Sequence, residues 1–72
     1  MKTANRLRVV RAEKRVTQEQ IEQRTKKRIT QTRISQIENG QADPSEDEKR
    51  IIARALKVEV QDVFPEPQQV AS

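Results

Sequence analysis

The amino-acid sequence predicts an all-α domain built from five short helices, and three observations support this fold class. In residues 17–20 and 45–48, a Thr or Ser is followed three positions later by Gln or Glu, the capping-box pattern of a helix start. A further helix is bounded by Thr30, whose hydroxyl is a good N-cap, and by Asn39 and Gly40, because glycine readily adopts the left-handed conformation that ends helices. Apolar residues also recur at helical spacing, as at positions 51, 52, 55 and 56.

The second and third helices form a helix-turn-helix pattern, which the first helix precedes. We expect the first helix to begin near Thr3 or Asn5 and to end at Lys14, with positions 7 and 10 as its apolar stripe. The second should run from the capping box at residue 17 to residue 24 or 25. Residues 26–28 are a polar break, after which Ile29 returns to the core just before the third helix. Two helices joined by a short turn, the second polar on its outer face, make the helix-turn-helix arrangement.

Two further helices complete the predicted domain. Pro44 prevents the third helix from continuing, and a fourth helix should run from the capping box at 45–48 to about Lys57. A fifth, short helix is expected at residues 60–64, where it would bury Val63 and Phe64. Because prolines at 65 and 67 end regular structure, we divide the chain into a helix-turn-helix domain at residues 1–64 and a flexible C-terminal tail at residues 65–72.

Composition narrows the possible functions. The 72 residues are 32% hydrophobic, which predicts one domain with a thin aliphatic core of the kind that a partner subunit often completes. The absence of Cys excludes disulfides and thiolate metal sites, and the absence of His removes the commonest general base and metal ligand. We therefore expect no cofactor, no metal and no small-molecule ligand. No apolar run approaches a membrane span or a secretory signal, so we expect a cytoplasmic protein.

Charge is distributed unevenly along the chain. Residues 1–37 hold eleven Lys and Arg against three Glu, a net charge of +8, whereas residues 38–72 hold four Lys and Arg against eight Asp and Glu, a net charge of −4. This asymmetry suits a polyanion that docks on one side, although a charge run is more often only a solvated surface. It supports nucleic-acid binding mainly because the third helix lies in the basic half.

The third helix has a face suited to reading DNA bases. Isoleucines at 34 and 37 share one side, while Thr32, Ser35, Gln36 and Asn39 fall on the other and Gln31 projects from the N-terminal end. Amides and hydroxyls without acidic groups are the side chains that read base edges in a major groove. Taken alone, the segment is equally compatible with an ordinary exposed helix.

Four segments together resemble the Xre family of Cro-like and lambda-repressor-like helix-turn-helix proteins. The matching positions cover roughly residues 5 to 64 and lie at 7–11, 17–21, 34–40 and 52–58. The resemblance implies a compact five-helix lambda-repressor-like domain with the helix-turn-helix in helices 2 and 3, which binds double-stranded DNA to regulate transcription. The sequence departs from the family in a turn that is two residues longer than the commonest spacing, with residues 26–28 where a single Gly often stands.

The resemblance also implies roles for individual residues. It places Gln31, Thr32 and Gln36 at base-contacting positions, with Gln31 suited to adenine and Thr32 to a thymine methyl. It assigns Gln18 and Asn39 to phosphate contacts. Arg11 and Glu38 match a family pair that meets inside the domain; the alternative for Glu38, a plain surface acid at a helix C-terminus, is disfavoured by the helix dipole.

Three basic residues near the third helix are further candidates. Lys27 and Arg28, in the longer turn, are expected to contact phosphates. The alternative is that they only form a solvent-exposed polar turn. Arg33 flanks the reading face and is a candidate base contact, to guanine, although a phosphate contact fits its sequence position equally well.

The leading hypothesis is therefore a sequence-specific double-stranded DNA-binding regulator, a repressor in the simplest case, that acts as a homodimer on two half-sites. Its dimer surface would be helix five with the end of helix four, through Val60, Val63 and Phe64. The alternative is that these residues only close the monomer core, and for Phe64 this alternative is favoured. The alternative is an antitoxin-like or adaptor module that binds protein, with DNA binding secondary. An enzyme is not expected, because without His and Cys no nucleophile–base constellation can be assembled.

Overall fold

The computed structural model describes residues 5–65, which form five α-helices and no strand within that range. The helices are α1 (Leu7–Lys14), α2 (Gln18–Arg24), α3 (Gln31–Glu38), α4 (Glu46–Leu56) and α5 (Val60–Val63). Helix α2 contacts α3 and α4, whereas α1 contacts α4 and α5. The predicted all-α fold class with five helices is confirmed. The predicted tail lies outside the described residues except for Pro65.

Three helices begin where the sequence predicted, because their capping side chains occupy the expected places. The Thr17 hydroxyl accepts from the Gln20 backbone N–H at 3.0 Å, while the Gln20 side chain accepts from the Thr17 N–H at 2.9 Å. Ser45 and Glu48 form the same reciprocal pair at 3.1 and 2.9 Å. The Thr30 hydroxyl accepts from the N–H of the third residue of α3 at 3.2 Å. Each cap satisfies a donor that the first helical turn leaves unpaired.

Helix α1 begins later than predicted. Its first residue is Leu7, not Asn5, and Thr3 lies outside the described residues. The Asn5 side-chain oxygen accepts from the Leu7 N–H at 3.0 Å, and its amide donates to the Ile37 carbonyl at 2.9 Å. Asn5 thus bonds the backbone in a non-helical conformation, as short polar side chains at helix starts commonly do.

The first four helices end in the same hydrogen-bonded turn. A residue with positive φ lies one or two positions after the last helical residue, and the following N–H donates to the carbonyl five positions back, as in the Schellman motif. The positive-φ residues are Arg15, Lys26, Gly40 and Lys57. The corresponding long-range bonds join positions 16 to 11, 27 to 22, 41 to 36 and 58 to 53 at 2.7–3.0 Å.

The longer turn between α2 and α3 is held by a buried hydroxyl. Lys26 and Lys27 both have positive φ, at 58° and 64°. Beneath them Thr25 is buried; its hydroxyl donates to the Glu22 carbonyl at 3.1 Å and accepts from the Ile29 N–H at 3.3 Å. These bonds return the chain to the core at Ile29, so the two extra residues do not separate α3 from α2.

The core is aliphatic and closes within one chain. It contains residues from all five helices and the connecting turns: Leu7, Val10, Val16, Ile21, Ile29, Ile34, Ile37, Ile52, Leu56, Val63 and Phe64. Val63 is fully buried and Phe64 is 5% exposed, whereas Val60 is only partly buried. The prediction of a dimer surface through Val63 was therefore wrong, whereas the favoured alternative for Phe64, closure of the monomer core, is confirmed.

Candidate nucleic-acid interface

Helix α3 presents its polar side to solvent. Ile34 and Ile37 are fully buried against the core, which fixes the rotation of the helix about its axis. Gln31, Thr32 and Gln36 are all exposed as a consequence. The three side chains that the sequence analysis assigned to base contacts are thus accessible and lie on the same helix.

A shallow recess, the amide recess, brings these side chains together with two residues from neighbouring segments. Its volume is about 440 Å³, and it is lined by Gln18 from α2, by Gln41 from the loop after α3, and by four residues of α3: Gln31, Thr32, Ser35 and Gln36. Every lining side chain carries an amide or a hydroxyl, and none is charged. The arrangement offers donors and acceptors in one place without a negative charge that would repel a polyanion.

The sequence analysis did not assign Gln41 to this surface. The left-handed conformation of Gly40 reverses the chain, and the Gln41 N–H then donates to the Gln36 carbonyl at 2.8 Å. Gln41 thereby returns beside α3 and does not lead away from it. A glycine after a helix does predict that the chain turns back, but the position of the Gln41 side chain depends on the loop that follows.

The Glu38 carboxylate joins α3 to α1 and α2. Its side chain is 1% exposed, and the Arg11 guanidinium donates to it twice, from Nε to Oε2 at 2.6 Å and from Nη2 to Oε1 at 3.2 Å. Arg11 also donates to the Val16 carbonyl at 3.2 Å. Burial of the carboxylate is thus compensated by a charged partner and direct hydrogen bonds.

The same carboxylate positions Gln18. The Gln18 Nε2 donates to Glu38 Oε1 at 3.0 Å, which directs the amide toward α3. The Gln18 backbone N–H, at the first position of α2, belongs to the set of helix N-terminal donors that commonly contact phosphate. Because the side-chain amide of Gln18 already donates to Glu38, its backbone N–H is the better candidate for a phosphate contact.

The other predicted phosphate contacts differ in their surroundings. Lys27 and Arg28 are exposed in the α2–α3 turn, outside the recess. Asn39 is exposed at the end of α3, where its side-chain oxygen accepts from Arg8 Nη2 at 2.9 Å. Arg8 also lies 3.6 Å from Glu38, so a cation stands beside Asn39 at the edge of this surface.

Arg33 is directed away from the recess. Its guanidinium forms a two-point contact with Glu48 at the start of α4, from Nε at 3.1 Å and from Nη2 at 2.9 Å. The hydrogen bond from Arg33 lowers the pKa of Glu48, and the same bond raises the pKa of Arg33. The geometry therefore gives the predicted base contact by Arg33 no support and indicates a structural link between α3 and α4.

The fold and the exposed polar face of α3 together define a helix-turn-helix domain. Residues 7–63, most of the chain, match the model of a family described as Helix-turn-helix. The chain belongs to the Xre/Cro-like helix-turn-helix family, whose domains are DNA-binding regulatory units and are not typically enzymes. Comparisons with curated proteins and with solved structures gave no significant match. Within residues 5–65, no helix has the length and apolar character that crossing a membrane requires.

Proposed function

We propose that this protein is a sequence-specific double-stranded DNA-binding regulator of transcription, which reads bases in the major groove with α3. The observation that carries this proposal is the amide recess, in which six uncharged residues with amide or hydroxyl groups line one surface centred on α3. A glutamine amide can bond adenine at two points, which makes Gln31 and Gln36 suitable for base readout, and Thr32 can pack against a thymine methyl.

Contacts to the phosphate backbone would set the register of α3 in the groove. We assign these contacts to the backbone of Gln18, to the exposed side chains of Lys27 and Arg28, and to Asn39 with its neighbour Arg8. Such contacts supply affinity that depends on salt but not on sequence. Occupation of a promoter by this surface would repress transcription, and a homodimer would read two half-sites about one helical turn apart.

The proposal is tested by selecting binding sites from random duplexes and titrating the selected site at several salt concentrations. We expect a compact consensus with two-fold symmetry and a steep fall in affinity as salt increases. A reporter gene placed behind the selected site should be repressed when the protein is expressed. Uniformly weak binding without any consensus would contradict the proposal and favour the interaction-module hypothesis.

Two substitutions should separate base contacts from phosphate contacts. Gln31→Ala should relax preference at one base position, costing about 1–3 kcal/mol on the selected site and little on other duplexes. Lys27→Ala should weaken all duplexes alike and reduce the slope of log K against log salt by about 0.9. Gln23→Ala and Lys14→Ala are matched controls, because both residues are exposed and lie outside the recess. Equal weakening of every duplex by Gln31→Ala would show that Gln31 does not read a base.

A further inference from the structure

A second concave surface lies between the end of α2, the following turn and one side of α4. This groove has a volume of about 800 Å³ and shares no lining residue with the amide recess. Six of its ten lining residues are cations: Arg24, Lys26, Arg28, Arg50, Arg54 and Lys57. Asp47 is its one acidic residue, so the groove carries a concentrated positive charge.

The cations form two walls. Arg24, Lys26 and Arg28 come from α2 and the turn. The others lie at positions 50 and 54 of α4 and at position 57, its C-cap, a spacing that places them along one side of the helix. Arg24 is held across the groove, because its Nη1 donates to the Ala55 carbonyl at 2.8 Å. This hydrogen bond joins the two walls, and α2 and α4 are in direct contact.

Most of this charge is not neutralised within the domain. The side chains of Lys26, Arg28, Arg54 and Lys57 make no ion pair or hydrogen bond to any part of the chain between residues 5 and 65. Arg50 alone among the cations of the groove has an acidic partner there, Asp47 at 3.5 Å, and both side chains are largely exposed. The groove thus presents available positive charge on both walls.

The floor of the groove is partly apolar. Ile51 and Ala55 line it and are only partly buried, so a ligand can cover them. Burial of aliphatic surface favours a ligand that carries apolar side chains as well as negative charge. The groove shares no lining residue with the recess on α3, so a duplex seated on α3 is not expected to fill it. A single strand would require aromatic residues for base stacking, and none lines the groove.

We propose that this groove docks an acidic protein segment in which carboxylates alternate with aliphatic side chains. The carboxylates would pair with the two cationic walls, and an aliphatic side chain would cover Ile51 and Ala55. This surface shares only Arg28 with the contacts proposed for DNA, so its five other cations remain available to the segment while a duplex is bound on α3. The proposal does not depend on which DNA sequence the protein recognises.

The test uses the full chain and three labelled probes: a peptide in which Glu and Leu alternate, a peptide of Glu alone, and a single-stranded oligo-dT. Fluorescence anisotropy should show the strongest binding for the Glu–Leu peptide. Arg54→Glu should weaken that binding about tenfold, since it replaces an attraction by a repulsion. Lys14→Glu is the matched control, because it makes the same change of charge on an exposed part of α1, and it should leave binding within about twofold.

Four outcomes would overturn the proposal. The first is equal binding of the Glu–Leu and all-Glu peptides, which would mean that the apolar floor has no role. The second is equal weakening by Arg54→Glu and Lys14→Glu. The third is stronger binding of oligo-dT than of the Glu–Leu peptide, and the fourth is displacement of the Glu–Leu peptide by an unlabelled duplex. Thermal unfolding of each variant checks that the fold is retained, and Lys26→Glu on the opposite wall, at a residue with no proposed DNA contact, repeats the test independently.

Discussion

The carboxylate of Glu38 ties three helices together at the edge of the amide recess. Arg11 from α1 and Gln18 from α2 both donate to it, and it lies at the last position of α3. A negative charge at the C-terminus of a helix is disfavoured by the helix dipole, so the Glu38 carboxylate depends on its hydrogen-bond partners for compensation. One residue thus fixes both the packing of α1 on α3 and the direction of the Gln18 side chain.

Replacing this carboxylate should strongly destabilise the domain. We expect Glu38→Gln to lower the free energy of unfolding by about 2–4 kcal/mol, because it removes the charged partner of a largely buried Arg11. Glu46→Gln is the control, since Glu46 is 76% exposed and pairs with Lys49 at 3.5 Å; it should cost about 0.5 kcal/mol or less. Urea unfolding measures both. A similar cost for the two variants would mean that the Arg11–Glu38 pair adds little.

The pair between Arg33 and Glu48 should make stability depend on pH. The hydrogen bond from Arg33 holds the pKa of Glu48 below its ordinary value of 4.5 in the folded state. The folded state therefore gains stability that is fully present above pH 4.5 and is lost as the pH falls through the lower, folded pKa. Glu48→Gln should reduce the slope of unfolding free energy against pH in this acidic window. Arg33→Met should reduce it similarly, and an unchanged slope in both variants would contradict this assignment.

Among the helices, the ends were predicted to within about one residue, and the one boundary placed wrongly is the beginning of α1, which has no capping box. Thr17 and Ser45 signal a helix start because the capping side chain and its target lie within three residues. The end of α3 was predictable for the same local reason, since Gly40 favours positive φ. Arg15 and Lys57 also adopt positive φ but carry no such signal, because only the surrounding turn imposes that conformation on them.

The candidate site likewise has one part that local sequence patterns predict and another part that depends on tertiary packing. The face of Gln31, Thr32 and Gln36 follows from the 3.6-residue period once the two isoleucines of α3 are placed in the core. The contribution of Gln41 and the partner of Arg33 depend on where the loop and α4 pack. These tertiary contacts are not contained in any local pattern, which is why the prediction for Arg33 has no support in the structure.

The turn that ends α3 can be tested by a single substitution. Gly40 has φ of 76°, and a Cβ placed on it meets no atom within 4 Å. Gly40→Ala should therefore destabilise the domain by about 1 kcal/mol through backbone conformation alone, without a steric clash. Lys57→Gly makes the opposite change at the end of α4 and should be neutral or stabilising by up to about 1 kcal/mol. Thermal unfolding distinguishes the two; a neutral Gly40→Ala would show that the turn can rearrange.

For the whole molecule, the two concave surfaces separate two kinds of chemistry. The amide recess combines α3 with the start of α2 and carries no charge, whereas the cationic groove combines the end of α2 with α4. The positive charge that the sequence analysis attributed to the first half of the chain is therefore extended by Arg50, Arg54 and Lys57 from the second half. Net charge along the sequence did not reveal this, because acidic residues at the start of α4 offset these cations in the count but lie mostly outside the groove.

The closed core leads to a prediction about assembly. Val63 and Phe64 are buried within one chain, and the only large hydrophobic residue exposed between residues 5 and 65 is Val9, at 47%. The domain should therefore fold as a monomer, and a homodimer should form on DNA without being required for folding. We expect the melting temperature of the free protein to be independent of protein concentration, because a folded monomer gains no stability by mass action. Calorimetry over a wide concentration range measures this, and a melting temperature that rises with concentration would show that a second chain completes the fold.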